Sequence, residues 1–240
     1  LRPQHSGISQ GCTLSPMLFI IVMTVLLGDA VCCLGPEATA AYKAGDLTDL
    51  VHADDTLLMG VADQHLNEYL AAVESVGLQY GMQLHAKKFQ LLSTSKDACI
   101  STPQGTQIPC RPTMDYLGAR LATDGQTDHE LNRRIGAAKG DFLALDKVWR
   151  RSALTWIRKF HIFSTLVESK LLFAVSSLCL TVAQQRRVNG FQCRCIHKII
   201  GVSPAFVSRV SNKEVLSRAG HRPAIELLRK RRLQLFGKVL

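Results

Sequence analysis

The sequence lacks the long apolar runs and leader segments that mark membrane and secreted proteins. Its longest nearly apolar run, Met17–Leu27, has 11 residues, whereas a membrane-spanning helix needs about 20. The chain does not begin with a basic leader and a small-residue cleavage site. No internal repeat interrupts it. We therefore expect an intracellular protein, nuclear or cytoplasmic, with no signal peptide, no transmembrane segment and no membrane partner.

Zinc-binding cysteine pairs are also missing. None of the 8 cysteines forms a CxxC pair. The one-residue gap between Cys193 and Cys195, with His197 nearby, does not fit a zinc knuckle. Cysteines of this kind in an intracellular protein are usually reduced and buried. We predict free thiols that lie mostly in the core.

Acidic residues are scarce in the second half of the chain. Residues 1–120 hold 7 Lys and Arg against 11 Asp and Glu, a balance of −4, whereas residues 121–240 hold 22 against 8, a balance of +14. Such a basic region is typical of proteins that grip a polyanion. The charge pattern therefore favours a nucleic-acid partner over an ordinary solvated surface.

The apolar pattern predicts an α+β fold in which a mixed region precedes an all-helical one. Hydrophobic residues make up 47% of the chain, which is enough for a buried core. Ser15 is placed to cap a helix that runs to about Leu34 and, being apolar nearly all round, should be buried; Asp63 is placed to cap another. Gly201 is placed to end a helix, and Ser211 is placed to cap one. Strands are predicted at 47–51, 56–59, 82–84, 89–93 and 116–121, and helices at 63–80, 128–149, 153–180, 184–200 and 225–240.

Two adjacent carboxylates lie between the first two predicted strands. Those strands are so close that they must form a hairpin, which puts Asp54 and Asp55 at or beside its tip. Either the pair is a solvated turn, or it binds a hard divalent ion in a two-metal phosphoryl-transfer site. Such a site needs another carboxylate from a different strand, and none of Glu37, Asp46 and Asp49 sits in a convincing apolar strand. We expect the missing ligand to precede the first residue.

Five segments, in order, resemble motifs of reverse transcriptases from non-LTR retrotransposons and group II introns. HADD at 52–55 resembles the aromatic-Ala-Asp-Asp catalytic box, and GISQGCTLSPMLF at 7–19 resembles the palm motif before it. The similarity continues through GMQLHAKKFQLL at 81–92, YLGARLATDG at 116–125 and ELNRRIGAA at 130–138. The resemblance implies a truncated non-LTR polymerase palm, a short antiparallel sheet with helices, followed by an all-helical basic thumb and tail.

The resemblance gives the catalytic box and the lysine segment their roles. Asp54 and Asp55 would bind the catalytic metal, Mg²⁺ or alternatively Mn²⁺. Lys88, or its neighbour Lys87, would protonate the leaving pyrophosphate, unless it is an ordinary surface lysine. His52 stands where the family has an aromatic residue, and its imidazole would either pack, accept a hydrogen bond or bind metal.

Other matching residues would contact the substrates. Gln10 and Gly11 match the pair that lines the nucleotide and template pocket, where glycine lets the backbone approach a base and the amide both donates and accepts. Tyr116, Leu117 and Gly118 match the hairpin that supports the primer end. A core role fits Tyr116 equally well.

The resemblance divides the chain into a partial palm at 1–122, a helical thumb at 123–180 and a basic helical extension at 181–240. Arg133 and Arg134 would face the minor groove or backbone of a duplex of RNA template and DNA primer. The run at 229–232 could instead be a nuclear-import signal. Further positive charge lies at Arg150, Arg151, Arg158, Lys159, Arg186, Arg187 and this run.

The implied function is RNA-directed DNA polymerisation by two-metal nucleotidyl transfer. The family's first palm motif, with its essential aspartate, and its finger segments are not among these 240 residues. We expect no activity from these residues alone, because loss of one member of a catalytic constellation costs orders of magnitude in rate. The parent protein would supply those segments and could carry an endonuclease domain. The alternatives are a catalytically dead nucleic-acid-binding remnant and a maturase-like RNA-binding protein.

Overall fold

The computed structural model describes residues 12–95 and 97–239. The chain divides into two units, Leu1–Leu117 and Gly118–Leu240, which we call the N-terminal and the C-terminal unit. Helices and two separate two-stranded sheets make up the described residues. The predicted α+β class is therefore confirmed.

The N-terminal unit is built from helices around a β-hairpin. Helices α1 and α2 each have a proline in the first turn, where the missing backbone N–H costs nothing. Leu14 and Ala62, rather than Ser15 and Asp63, occupy the N-cap positions of α1 and α3. The described elements are α1 (Ser15–Cys32), α2 (Pro36–Ala44), β1 (Leu47–His52), β2 (Asp55–Gly60), α3 (Asp63–Gln79) and a 3-10 turn (Ala86–Lys88).

Helix α1 is much more exposed than its composition suggests, so the prediction that it is buried is wrong. Only Leu26, Leu27 and Ala30 are buried, where α1 packs against α3. Leu18 and Ile21 keep more than half of their surface exposed. An all-apolar helix buries only the stripe that finds a packing partner. By length and composition, α1 is also the one helix among the described residues that could cross a membrane, a criterion that core helices also meet.

The segment after α3 forms no regular strands, so the predictions of strands at 82–84 and 89–93 are wrong. Isolated bridges pair Leu91 with Cys110 and Ser101 with Gln107. The side chain of Asn67 on α3 accepts a hydrogen bond from the backbone N–H of Ser101 at 2.9 Å, and Asp63 accepts one from Cys99 at 2.7 Å. Helix side chains therefore satisfy backbone groups that a sheet neighbour would otherwise pair.

The C-terminal unit is helical after one strand. Strands β3 (Thr113–Tyr116) and β4 (Ala119–Ala122) form the second sheet, and the division between the units falls in the turn that joins them. The predicted helix at 153–180 is present in pieces, one of them a π-helix. The remaining elements are α4 (Asp128–Ala144), α5 (Asp146–Arg150), α6 (Trp156–Ile162), a π-helix (Phe163–Glu168), α7 (Ser169–Leu172), a 3-10 turn (Val175–Ser177), α8 (Val182–Ile200), α9 (Ala205–Ser208), α10 (Asn212–Arg218) and α11 (Ala224–Val239).

Helix α8 is the centre of the C-terminal core. Thr181 and Gln184 form a capping box at its start, and Gly201, with a φ of 71°, ends it as predicted. The predicted cap at Ser211 is also confirmed, since its hydroxyl accepts the backbone N–H of Glu214 at 3.1 Å. Buried apolar side chains from α4, α7, α8, α10 and α11 form one continuous cluster.

A buried polar network joins α8 to the π-helix and to the start of α11. The Gln192 amide donates to Glu168 Oε1 at 2.7 Å and to the Arg222 carbonyl at 2.9 Å, and it accepts the Ala224 N–H at 2.8 Å. His221 Nε2 lies 3.1 Å from Glu168 Oε1. Because Gln192 is fully buried, each of these bonds replaces one that water would have made.

The cysteines are free thiols, as predicted, but most of them are exposed, so the prediction that they lie mostly in the core is wrong. Only Cys193 and Cys195 are buried, because both lie on the central helix α8. Burial raises the pKa of the Cys195 thiol to about 12 and raises that of Cys193. The exposed thiols are Cys12, Cys32, Cys33, Cys99, Cys110 and Cys179.

Candidate active site

The hairpin of β1 and β2 carries Asp54 and Asp55 at its tip, as the sequence predicts. His52 pairs with Asp55, which leaves Ala53 and Asp54 as a two-residue loop. Ala53 has a φ of 55°, in the left-handed region where glycine is the usual residue. Both aspartates are exposed. The turn therefore presents two neighbouring carboxylates at the surface.

A carboxylate held by two tyrosines anchors the strand that leads into this turn. The hydroxyls of Tyr42 and Tyr69 donate to Asp49 Oδ1 at 2.9 and 3.0 Å. Burial is the main cause that raises the pKa of Tyr69, and the negative charge of Asp49 adds to it. Burial is also the main cause that raises the pKa of Tyr42, and its hydrogen bond to Asp49 adds to it. Asp49 thus lies within β1, in the strand predicted at 47–51, and the tyrosines occupy one of its oxygens.

One cavity brings together side chains that the sequence analysis singled out separately. It has a volume of about 480 Å³ and lies within the N-terminal unit. Asp54, Asp55, Lys88 and Tyr116 all line it, and so does Asp115, which the sequence analysis did not consider. Lys88 reaches it from the 3-10 turn, whose Lys88 N–H donates to the His85 carbonyl at 2.8 Å. The cavity therefore combines carboxylates, an ammonium group and an aromatic ring.

The oxygen atoms of these carboxylates are suitable ligands for a hard divalent ion. Among the described residues there are too few such ligands to hold the ion. Within residues 12–95 and 97–239, neither Asp54 nor Asp55 has a hydrogen-bond or ion-pair partner that would neutralise it. Carboxylate oxygen is the ligand that Mg²⁺ prefers. The same residues contain no group of three His, Cys, Asp or Glu side chains that could hold a metal ion.

A family model described as reverse transcriptase (RNA-dependent DNA polymerase) matches residues 1–121. The chain belongs to the reverse transcriptase family. Searches of curated proteins and of solved structures gave no match to this chain. Reverse transcriptases are RNA-directed DNA polymerases, act on nucleic acids and generally use divalent metal ions. The matched range includes the hairpin and all the lining residues of the cavity.

Two predicted site residues of this reverse transcriptase, Gln10 and Gly11, lie outside the described residues. His52 is exposed beside the turn that carries Asp54 and Asp55. Lys87 is exposed as well, but it does not line the cavity, whereas Lys88 does. Tyr116 donates its hydroxyl to the Leu50 carbonyl on β1 at 3.2 Å. This bond engages the hydroxyl within the protein and leaves the ring at the cavity wall.

Arg133 and Arg134 are engaged by a buried glutamate that the sequence analysis missed. Glu130 is 1% exposed and accepts Arg134 Nε at 2.5 Å, Arg133 Nε at 2.8 Å and the Arg120 N–H at 3.0 Å. Both arginines also donate to the Gly118 carbonyl. The spacing of Glu130 to Arg133 and Arg134, three and four residues, could have signalled the ion pairs but not their burial.

The Arg134 guanidinium is enclosed on its other side by an aromatic ring. Its central carbon lies 4.5 Å from the centre of the Phe173 ring. The same ring would lie 3.4 Å from a Cβ added at Gly118, whose φ is 74°. A side chain at Gly118 would therefore be strained by the backbone and crowded by Phe173. These contacts fix the turn between β3 and β4 to α4.

The remaining basic residues of the C-terminal unit divide into engaged and exposed ones. Lys159 is buried and donates to the Trp149 carbonyl at 2.6 Å. Arg150 pairs with Asp146, and Arg187 with Asp128. Arg232 donates to the Ser176 and Leu178 carbonyls. In the described part of the chain, Arg151, Arg158, Arg186, Arg229, Lys230 and Arg231 are exposed with no side-chain partner.

Proposed function

We propose that this chain is the palm-and-thumb part of a non-LTR retrotransposon reverse transcriptase. It would extend a DNA primer on an RNA template by two-metal nucleotidyl transfer with Mg²⁺. The observation that carries the proposal is the convergence of Asp54, Asp55, Lys88 and Tyr116 on one cavity. These residues come from three separate segments, and the same segments carry the resemblance to the family.

The carboxylates and the lysine would divide the chemistry between them. Asp54 and Asp55 would hold the metal, which when bound activates the attacking oxygen and stabilises the leaving one. A further ligand would come from the family's first palm motif. The Lys88 ammonium group, a compact point charge, would bind the leaving pyrophosphate and donate a proton to it.

The hairpin of β3 and β4 would support the primer end. The Tyr116 ring forms part of the cavity wall, and its hydroxyl ties β3 to β1 through the Leu50 carbonyl. Gly118 offers no side chain, so the backbone can approach a sugar or base closely. Arg133 and Arg134 would act on the primer indirectly, since both bind the Gly118 carbonyl.

The C-terminal unit would bind the duplex through its exposed basic side chains. Arg151, Arg158 and Arg186 are exposed and lack partners within the described residues. Contacts from such side chains to phosphate give affinity without sequence preference, and they weaken as the salt concentration rises. We assign the thumb to residues 123–180 and the basic extension to residues 181–240.

Primer extension tests the proposed function. In the full-length parent protein, Asp54→Ala should abolish extension of a DNA primer on an RNA template and leave duplex binding nearly unchanged. Asp97→Ala, which removes an exposed acid outside the cavity, is the matched control and should extend normally. We expect no extension by the 240-residue chain alone. Retained extension by Asp54→Ala would refute the assignment.

One observation favours a second candidate, a nucleic-acid-binding remnant without catalysis. The described residues hold no group of three metal ligands. Binding of nucleic acid through the basic helices requires no further metal ligand, whereas catalysis does. Manganese binding followed by paramagnetic resonance separates the two. The catalytic assignment predicts that the full-length parent loses bound Mn²⁺ on Asp54→Asn, whereas a remnant would bind the duplex and show no such site.

A further inference from the structure

An exposed tryptophan marks the corner between α5 and α6. Trp156 is 55% exposed and its neighbour Ile157 is 82% exposed. The only other tryptophan, Trp149, is 3% exposed, stacks on Phe142 at 5.2 Å and donates its indole N–H to the Phe142 carbonyl at 2.8 Å. Large aromatic side chains usually bury most of their surface. A tryptophan displayed in this way suggests a contact surface.

The backbone beneath Trp156 is fixed on its inner side. Thr155 caps α6 by accepting the Arg158 N–H at 3.5 Å. Lys159, on the inner side of α6, is 6% exposed and donates to the Trp149 carbonyl at the end of α5. The corner is therefore held by a cap and by a buried ammonium group. The tryptophan is displayed from a rigid base and not from a loose loop.

The surroundings of Trp156 are strongly basic. Residues 146–161 contain a single acid, Asp146, against five Lys and Arg. Asp146 is already paired with Arg150 at 2.8 Å and with Lys198 at 2.6 Å. Lys147, Arg151 and Arg158 are exposed, and within the described residues their side chains have no partner. Within ten residues of the exposed Trp156, this corner therefore carries three basic side chains that no acid of the described residues pairs.

We propose that the α5–α6 corner is a stacking site for single-stranded nucleic acid. An unpaired base can stack on the Trp156 ring while Arg151, Arg158 and Lys147 contact the flanking phosphates. A duplex keeps its base faces covered, so it would gain only the phosphate contacts. The inference rests on the proposed function in one respect, that the partner is nucleic acid. It does not involve the carboxylates of the catalytic turn.

Tryptophan fluorescence of the full chain tests the site directly, because one of the two tryptophans is exposed and the other buried. An oligouridylate of about twelve nucleotides should quench the Trp156 emission, and a duplex of equal length should quench it much less. In Trp156→Phe only Trp149 emits, so quenching should vanish while binding persists. The unchanged Trp149 emission also shows that the variant is folded.

Two further variants separate stacking from charge. Trp156→Ala should weaken oligouridylate binding ~5- to 150-fold, the range expected for the loss of one stacked base, whereas Trp156→Phe should weaken it less. The double variant Arg151→Ala, Arg158→Ala should lower the salt dependence of binding by about two phosphate contacts. Trp156→Ala should leave the affinity for the duplex nearly unchanged.

Several outcomes would overturn the proposal. Oligouridylate that binds without quenching Trp156, or a duplex that quenches it equally, contradicts stacking at this corner. So does a Trp156 response to anionic phosphatidylserine vesicles with none to the oligouridylate, which would indicate a membrane surface. If Asp54→Ala abolishes extension and Trp156 stays unquenched, only this inference fails. If Trp156 is quenched and extension ignores Asp54, only the polymerase assignment fails.

Discussion

The two units of this reverse transcriptase differ in the charged side chains that they bury, because among the described residues the buried ones all lie in the C-terminal unit. In the N-terminal unit, Asp54 and Asp55 stand exposed on a hairpin turn and, among the described residues, have no partner. In the C-terminal unit, Glu130, Arg134 and Glu168 are buried, and each is hydrogen-bonded. Uncompensated charge at a fixed position is available for chemistry, whereas a matched buried charge holds the fold. A charged residue inside a family motif can therefore be structural.

The units also differ in the size of their apolar cores, since the C-terminal unit has one large buried cluster and the N-terminal unit two smaller ones. Leu18, Ile21 and Leu50 of the N-terminal unit are half exposed or more. In the C-terminal unit, Leu171 and Ile196 are fully buried within one large cluster. The difference teaches that composition alone does not report burial, because both regions are comparably apolar along the chain.

The largest expected effect tests the contrast between buried and exposed charged side chains. Glu130→Ala should lower the free energy of unfolding of the C-terminal unit by about 3–5 kcal/mol, since it leaves the buried Arg134 guanidinium without its carboxylate. Both tryptophans lie in this unit, so urea denaturation followed by their fluorescence measures it. Asp54→Asn, followed by circular dichroism, should leave stability unchanged within about 0.5 kcal/mol. Equal losses for the two variants would contradict the contrast.

The second effect would sharpen the contrast in apolar burial. Leu171→Ala opens a cavity in a closed core and should cost about 3 kcal/mol. Leu18→Ala, on the exposed part of α1, should cost less than about 0.5 kcal/mol. Thermal or urea unfolding of the two variants gives the comparison. A loss at Leu18 as large as that at Leu171 would mean that α1 is covered in solution.

The sequence predicted those features of the structure that depend on residues close together in the chain. The hairpin of β1 and β2 followed from two short apolar runs around Asp54 and Asp55, and the end of α8 and the start of α10 followed from Gly201 and Ser211. These features depend on neighbours within a few residues, which a single sequence shows directly.

The features that were not predicted depend on distant partners. The segment at 82–93 contains, in place of strands, the 3-10 turn Ala86–Lys88 and one isolated bridge from Leu91 to the distant Cys110. The exposure of α1 depends on which of its faces finds a neighbour. Glu130 binds the Arg120 N–H and Arg134, which itself contacts Phe173, and the sequence shows only the spacing of Glu130 to the arginines. The shared cavity of Lys88 and Asp54 was likewise not visible.

The difference between exposed and buried cysteines predicts a difference in the reactivity of their thiols. At pH of about 8, iodoacetamide should alkylate the exposed thiols, with Cys12 first, because the backbone N–H of Leu14 and the Ser15 hydroxyl lower its pKa. Cys193 and Cys195 should react only after unfolding. Peptide mass spectrometry identifies the modified sites, and early labelling of Cys195 would contradict its burial.

The buried thiol of Cys195 makes the stability of the C-terminal unit depend on pH. The pKa of Cys195 rises from 9.0 to about 12 on folding, so the thiol stays protonated in the folded state while the unfolded thiol ionises. Its contribution is fully present below pH 9.0 and is lost as the pH rises toward about 12. Cys195→Ala should flatten this part of the stability profile, whereas Cys179→Ala, which removes an exposed thiol, should leave it unchanged.

The smallest expected effect concerns the turn between β1 and β2. Ala53 has a left-handed backbone, so Ala53→Gly should stabilise the N-terminal unit by about 0.5 kcal/mol. Ala71→Gly in the exposed interior of α3 is the matched control and should destabilise it by about 1 kcal/mol. Thermal unfolding followed by circular dichroism compares them, and a loss of stability in both would show that Ala53 is not strained.

The Gln192 network limits how far the protein can be shortened from its C-terminal end. Its amide is saturated by Glu168, the Arg222 carbonyl and the Ala224 N–H. A protein cut after α10 would lose two of these three partners and His221 as well, which would leave the buried Glu168 and Gln192 with only each other as partners. The segment from Gly220 into α11 is therefore an internal support of the helical unit, and deletion mapping of nucleic-acid binding has to keep it intact.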